Sequence, residues 1–466
     1  MNGKTAAPGG AGSQFNPSTA FRRWMLLLAS LNGAVGIKRL VESLLQPEIY
    51  HKDFISPYLM ARAILSGVNP YLPLNDLAAI FIPQANCDHF AHPTPHPPLV
   101  GLLGIPLGLL SYERAAIVWF GLELAFVGIS IALLARWWGG RLGMGSFALL
   151  FLIAMGWVPL VEDLWLGQLT TLLFMLLLLS WQALREGREG LGGALLGAIF
   201  ALKLTAWPLL LFFAIRLRWR AVFAAGGMIL LIHGLAAAIL GVDSIRDYYL
   251  HVGPRVAAIY RGHDTNYSAW TLGVRLFEGF GNNFRVSPLL ASPLLAKLAT
   301  PLAPAALLLA GLWAAHRAKS FDTAFGLLVG VGILVSPIAW THYLTVSPIP
   351  AAILLRRMLE AEAPKGRVYL MFGLIAALSI AGAGYSTFAR QFGSPVDSGA
   401  LPLVPFAAGM LTMIPLAALI GMLVLLWRSD AAVDPVRIAA GGRAEREGRA
   451  PARARRKEPA KECVSN

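Results

Sequence analysis

Residues 114–135 read RAAIVWFGLELAFVGISIALLA, an apolar run long enough to cross a bilayer as one helix and almost free of charge. Comparable runs recur near 24–45, 145–162, 168–184, 191–215, 219–241, 289–315, 323–340, 343–356, 368–386 and 402–427. Over 466 residues, 56% are hydrophobic and 14% charged, with a mean hydropathy of +0.62. A water-soluble fold of this length cannot hide that much apolar surface, so much of it must face lipid. The expected class is an all-α polytopic integral membrane protein.

Lys and Arg cluster at span ends: Arg22-Arg23, Arg136 and Arg141, Arg185 and Arg188, Arg216 to Arg220, Arg317 and Lys319, Arg356-Arg357, and Arg428. Because basic residues stay on the cytoplasmic side, these clusters orient the chain with its N-terminus inside. Asp53, Glu162-Asp163, the 243–285 loop, Trp340-Thr341-His342-Tyr343 and the 386–400 loop then share the outer face. The first span follows about twenty small and polar residues without an A-x-A-like site, so it is read as retained. The net charge of +14 reflects these insertion signals and attraction to anionic membrane lipids; no nucleic acid partner is expected.

Two stretches strain this alternation. The short Pro/Gly-containing run at 98–110 reads as re-entrant or membrane-embedded. The run at 191–215 reads as a hairpin of two short helices, broken near Lys203-Leu204-Thr205-Ala206-Trp207-Pro208, because proline cannot continue a helix through its own position. The count is then about twelve spans. Three regions are expected: a cytoplasmic segment at 1–21, a transmembrane domain at 22–428 with outer loops near 46–97, 243–288 and 386–400, and a solvated cytoplasmic tail at 429–466 rich in Gly, Ala, Pro, Arg and Glu. Cys87 and Cys463 fall on opposite sides of the membrane, so no disulfide is expected between them.

The first outer loop holds nine prolines between Pro47 and Pro98, which rule out one long helix across it. From 57 to 67, the spacing of Tyr58, Met60, Ala61, Ile64 and Leu65 predicts a short amphipathic helix lying on the membrane, with Asp53 and Arg62 near its ends. A carboxylate at the mouth of a helical bundle can take a proton from a bound group while staying beside lipid. Its blander reading is a solvated loop carboxylate or a helix cap.

The order of short motifs is more specific. Asp53-Phe54 through Arg62-Ala63 to Asn69-Pro70-Tyr71 is followed by His96-Pro97-Pro98 and Ile105-Pro106-Leu107. Gly167-Gln168 then opens a Leu-rich helix, and Ala201-Leu202-Lys203-Leu204, Asn266-Tyr267-Ser268, Ser336-Pro337 and Trp340-Thr341-His342-Tyr343 come after it. Together these resemble glycosyltransferase family 87, of the C-type glycosyltransferases, over roughly residues 20–430. The resemblance implies a C-type bundle with outer-face loops and short amphipathic helices. It implies an enzyme that takes a sugar, by the family's default mannose, from a polyprenyl-phosphate donor and passes it to a lipid or glycan acceptor outside the cytoplasmic membrane. It maps the catalytic base onto Asp53 and a site-shaping histidine onto His342. Two positions depart from the family's pattern: Tyr267 and Thr170 stand where amide side chains are expected, which puts the sugar's identity in doubt.

The expected mechanism is one in-line displacement with inversion, Asp53 removing the acceptor proton while phosphate leaves. Arg62, Lys203, His342 and Tyr343 are the candidates to meet the leaving phosphate, with Arg261 and His263 behind them. Gln168, Asn266 and Tyr58 complete the expected substrate-binding set. Each has a bland alternative: Arg62 as an interfacial arginine snorkelling to lipid phosphates, Lys203 as a buried lysine needing a partner, His342 as an interfacial histidine. No cofactor is expected. His89, His92 and His96 invite a zinc reading, but their segment is interrupted by proline and only Asp88 stands near, so no metal is expected. No Walker or GxGxxG motif argues for a nucleotide-sugar donor. The competing reading is a transporter or flippase of lipid-linked sugars, which should show related halves; none is evident.

Overall fold

The computed structural model describes residues 19–85, 91–140, 142–380, 382–394 and 401–432. Cys87, Asp88, His89, Arg141 and Cys463, and the expectations at 1–18, 395–400 and 433–466, lie outside the described residues.

The run quoted above is the helix Tyr112–Trp137. With Trp219–Leu240, Pro293–Arg317 and Phe406–Ala432 it makes, among the described residues, four helices long and apolar enough to cross a membrane. The first three leave most of their apolar side chains outside the protein core: only 11% of the apolar window of Trp219–Leu240 is buried, and Phe223, Leu230, Leu231 and Leu235 point outward, whereas 56% of the window of Phe406–Ala432 is buried. A helix apolar all round yet unburied needs lipid as its solvent. The structure is a membrane-embedded, almost wholly helical bundle, its strands confined among the described residues to Arg285–Val286 and Leu403–Val404, paired in parallel.

Two expected spans are bent. The run at 145–162 becomes Met144–Ala154 and Val158–Leu166, turned by 81°. Pro159 lacks the N–H that would continue the first helix, and at the break the Gly156 carbonyl accepts from Asn32 Nδ2 at 2.8 Å. Likewise 368–386 becomes Lys365–Leu378 and Gly382–Arg390, turned by 80°. Counting each bent pair as one span gives six candidates among the described residues, and six shorter apolar helices accompany them there.

The hairpin at 191–215 forms as expected. Glu189–Leu202 stops at Lys203, whose backbone is extended (φ −160°, ψ 125°), and Trp207–Ile215 resumes after one 3-10 turn with Pro208 in its first turn. Gly193 and Gly197 let the first arm lie directly on the backbone of Ala221 and Ala225 in Trp219–Leu240, where any Cβ would collide.

The helix expected at 57–67 forms as Ile55–Leu65, but it does not lie on a membrane surface. Eight of its eleven residues are buried. Pro98–Gly108, the short helix of the 98–110 run, covers one side through Gly101, Gly104 and Gly108, and Ile49, Leu77 and Tyr112 pack on the rest. The tail boundary also moves. Ile414–Ala432 continues past Arg428, and buried Asp430 accepts from the Lys319 backbone at 2.6 Å and the Thr323 hydroxyl at 2.8 Å. The 243–285 segment, expected as a loop, folds into short helices including Val242–Asp247, Gly253–Ile259 and Leu272–Phe277.

Candidate active site

The helix Val158–Leu166 ends beside Asp53, and its last carbonyls anchor both of that residue's neighbours. Lys52 Nζ donates to Trp165 O at 2.6 Å and Leu164 O at 3.4 Å, while the Phe54 amide donates to Leu166 O at 3.0 Å. A cation at a helix C-terminus satisfies carbonyls that the helix cannot. Gly167 then turns the chain with φ +70°, and a Cβ there would come within 2.8 Å of Phe54 Cβ. That turn aims Gln168 back at the loop: its Nε2 donates to Asp53 Oδ2 at 2.7 Å. Asp163, in the same helix, accepts from the Thr171 amide at 2.9 Å and so starts the next helix, Thr170–Arg185.

Asp53, Gln168, Lys203, His342 and Tyr343 line one cavity of about 440 Å³, with His96 beside them. Elsewhere its wall is largely aromatic and aliphatic, from Tyr248, Tyr249, Tyr260, Leu202 and Ile338 among others. Lys203 reaches it from the hairpin break, its Nζ 3.5 Å from the centre of the Tyr343 ring. Burial pushes the Asp53 carboxyl up from its ordinary range, against the pull of the Gln168 hydrogen bond and the Lys203 charge. Burial, with Lys203 nearby, takes His96 down to about 3 and holds His342 well below the usual imidazole range. Both rings are therefore neutral and offer a lone pair and an N–H.

Three of the expected binding residues do not join this cavity. Tyr58 is buried, its hydroxyl donating to Leu110 O at 2.8 Å and its ring edge-on to Tyr112. Arg62 donates to Gly108 O at 3.1 Å and lies over the Phe81 ring at 5.5 Å, because its helix is covered by Pro98–Gly108. Asn266 is fully buried as a staple. Its Oδ1 accepts from the Ala339 and Ser268 amides and its Nδ2 donates to Tyr260 O, tying the 260s to the 336–340 segment. Tyr267, one of the two departures from the family's pattern, serves the same seam, its hydroxyl bonded to Trp340 O. Thr170, the other, is buried at its helix start and borders a separate small space behind Lys203. His263 pairs with Asp264 at 3.2 Å, and neither it nor Arg261 lines the cavity.

The seam has a support that sequence reading missed. Arg275, wholly buried, donates through Nη2 to the carbonyls of His263, Asp264 and Asn266, at 3.0, 3.0 and 2.7 Å. Nothing in its local sequence marks it, since only the folded loop gathers those carbonyls. Of the suspected zinc ligands, His92 bonds the Tyr260 hydroxyl at 2.7 Å and His96 lines the cavity. Among the described residues no three His, Cys, Asp or Glu side chains are grouped to hold a metal.

No curated protein and no solved structure matches this chain. The model of glycosyltransferase family 87 matches residues 95–337, just over half of it. That stretch contains His96, Gln168 and Lys203, while the fold adds Asp53 from before it and His342 and Tyr343 from after it to the same cavity. The chain belongs to glycosyltransferase family 87 and is a membrane glycosyltransferase.

Proposed function

We propose that the protein transfers a sugar, mannose by the family's default, from a polyprenyl-phosphate donor to a lipid or glycan acceptor on the outer face of the cytoplasmic membrane. The observation that carries this reading is the meeting, in one largely apolar cavity, of a carboxylate held by an amide (Asp53 with Gln168) and a lysine (Lys203). A phosphodiester on an isoprenoid tail needs a cation for its phosphate and an apolar wall for its chain. An acceptor hydroxyl needs a base.

In the proposed step the acceptor oxygen bonds to the anomeric carbon as that carbon's bond to phosphate oxygen breaks, inverting its configuration. Asp53 takes the acceptor proton. The polyprenyl phosphate leaves with one more negative charge, which Lys203 stabilises in a low-dielectric site where such an interaction counts for more than in water. Gln168 and the lysine charge favour the ionised carboxylate against burial, which keeps a base available in an apolar setting.

The charge pattern of the loops supports an outward-facing cavity. The reading of about twelve crossings goes beyond the four to six candidates among the described residues and would count short helices such as Thr170–Arg185, Glu189–Leu202, Leu204–Ile215 and Phe321–Leu334 as further crossings. The test is transfer by the purified protein in nanodiscs, given polyprenyl-phosphate-mannose and a membrane lipid extract, with Asp53→Asn beside the wild type. Transfer that collapses in the folded variant is the expected result, and equal transfer by both would remove Asp53 as base.

A further inference from the structure

The part of the cavity wall drawn from residues 248–260 carries three tyrosines, and each gives its hydroxyl proton to the protein. Tyr248 donates to Pro95 O at 3.0 Å. The other two meet histidines: the Tyr249 hydroxyl lies 2.8 Å from His233 Nε2, and the Tyr260 hydroxyl 2.7 Å from His92 Nε2. In both histidines Nδ1 sits 2.8 Å from a backbone carbonyl, Ile229 O for His233 and Pro93 O for His92. A carbonyl can only accept, so Nδ1 carries the ring proton. With one proton on each ring, Nε2 is left as an acceptor and the tyrosine must donate to it.

Each of these oxygens therefore keeps lone pairs but has no O–H left to offer a ligand. Phosphate oxygens need donors, so this wall gives a phosphate nothing and leaves it to Lys203; a sugar hydroxyl, which can donate, is what the wall can hold. Tyr260 is the best placed of the three. It and His92 both line the cavity, so their junction stands on its wall, and Asp53 is close enough to bear electrostatically on the Tyr260 hydroxyl. The residue is fixed at both ends: its ring stands edge-on to Trp340 with centroids 5.4 Å apart, and its backbone carbonyl accepts from Asn266 Nδ2 at 3.0 Å. Asp53 as base works where the acceptor hydroxyl meets the anomeric carbon. A group beside it faces the sugar hydroxyl nearest that carbon.

We propose that the Tyr260 oxygen, turned by His92 so that only its lone pairs face the cavity, accepts a hydrogen bond from the donor sugar's 2-hydroxyl, beside the anomeric carbon. The assignment rests on the reading of Asp53 as base and of this cavity as the donor's. Positive charge grows on the anomeric carbon as the phosphate departs, and an acceptor on the neighbouring hydroxyl leaves that hydroxyl's oxygen richer in electron density. The bond is then stronger in the transition state than in the bound donor, as it is in glycoside hydrolysis. Tyr260 touches the sugar; His92 is a positioning residue that acts through it.

The test compares two donors, polyprenyl-phosphate-mannose and its 2-deoxy analogue, with the full chain in nanodiscs and one membrane lipid extract as acceptor. The ratio of their kcat/KM values is taken within each protein, so a smaller folded fraction in a variant cancels, as does the intrinsic reactivity of the deoxy sugar between variants. Tyr260→Phe removes one oxygen and should lower the preference for mannose by about fivefold or more, as expected for one hydrogen bond between neutral groups. His92→Leu frees the hydroxyl to turn its proton toward the sugar and should lower the same ratio. A ratio unchanged in Tyr260→Phe would overturn the assignment, and one unchanged in His92→Leu would overturn the orienting role of His92. A wild type that uses neither donor would instead remove the donor reading, and this assignment with it.

Discussion

Gln168 holds Asp53 from the start of another helix: its side-chain amide donates to Asp53 Oδ2 at 2.7 Å, across 115 positions of sequence. The bond favours the ionised carboxylate, which burial disfavours. A base must be ionised to act, so transfer should fall as pH drops through the raised value of Asp53, above the usual carboxylate range. Gln168→Leu removes a bond that lowers that value. The acid limb of kcat/KM should therefore move to still higher pH, with a loss of about tenfold or more on that limb, given about 1.5–3 kcal/mol for a hydrogen bond to a charged group. Initial rates across pH for the two proteins check this; superimposed acid limbs would refute it.

Tyr343 should matter through its ring and not its hydroxyl. Lys203 Nζ lies 3.5 Å from the ring centre, a contact worth about 0.5–2 kcal/mol. Tyr343→Leu should raise the donor KM by about 2- to 30-fold, and Tyr343→Phe should keep it near the wild-type value. Equal constants for the two variants would show that the ring does not position the lysine.

Arg62, expected from sequence to grip phosphate, should be dispensable for transfer. It is occupied with Gly108 O and the Phe81 ring, away from the cavity. Arg62→Met should leave donor and acceptor KM within about twofold, since losing one neutral-acceptor hydrogen bond costs about 1 kcal/mol of stability and no binding contact. A large rise in donor KM would return the residue to the site.

Asn266 should act on stability. Asn266→Ala leaves the buried amides of Ala339 and Ser268 without an acceptor, a cost of about 2–4 kcal/mol. A thermal midpoint several degrees lower in detergent is expected, with the folded fraction keeping its KM values. An unshifted midpoint with a raised KM would make it a binding residue after all.

The Lys203 break was legible because it is local: proline two positions inside a helix start and a lysine in an apolar run leave few backbone choices. Asp53 stood out for a similar reason, as an acid in a Pro-rich loop between apolar runs. The burial of Ile55–Leu65 was not legible. Its spacing allowed an exposed face, and only the packing of Pro98–Gly108 through three glycines removed it. The same packing keeps Tyr58 and Arg62 away from the cavity. Arg275 gave no signal at all, since the carbonyls it gathers come together only in the folded seam.

By itself, then, the sequence determined the solvent, the helical class, the hairpin break and, through the order of its motifs, the family, because hydropathy, proline chemistry and motif order are properties of neighbouring residues. Only the tertiary structure decided which polar groups share a space. Asp53, Gln168, Lys203 and His342 come from four distant segments, and their meeting depends on the left-handed turn at Gly167, the Lys52 anchor and the Asn266 seam. Such contacts are set by three-dimensional packing between segments, which no local pattern encodes.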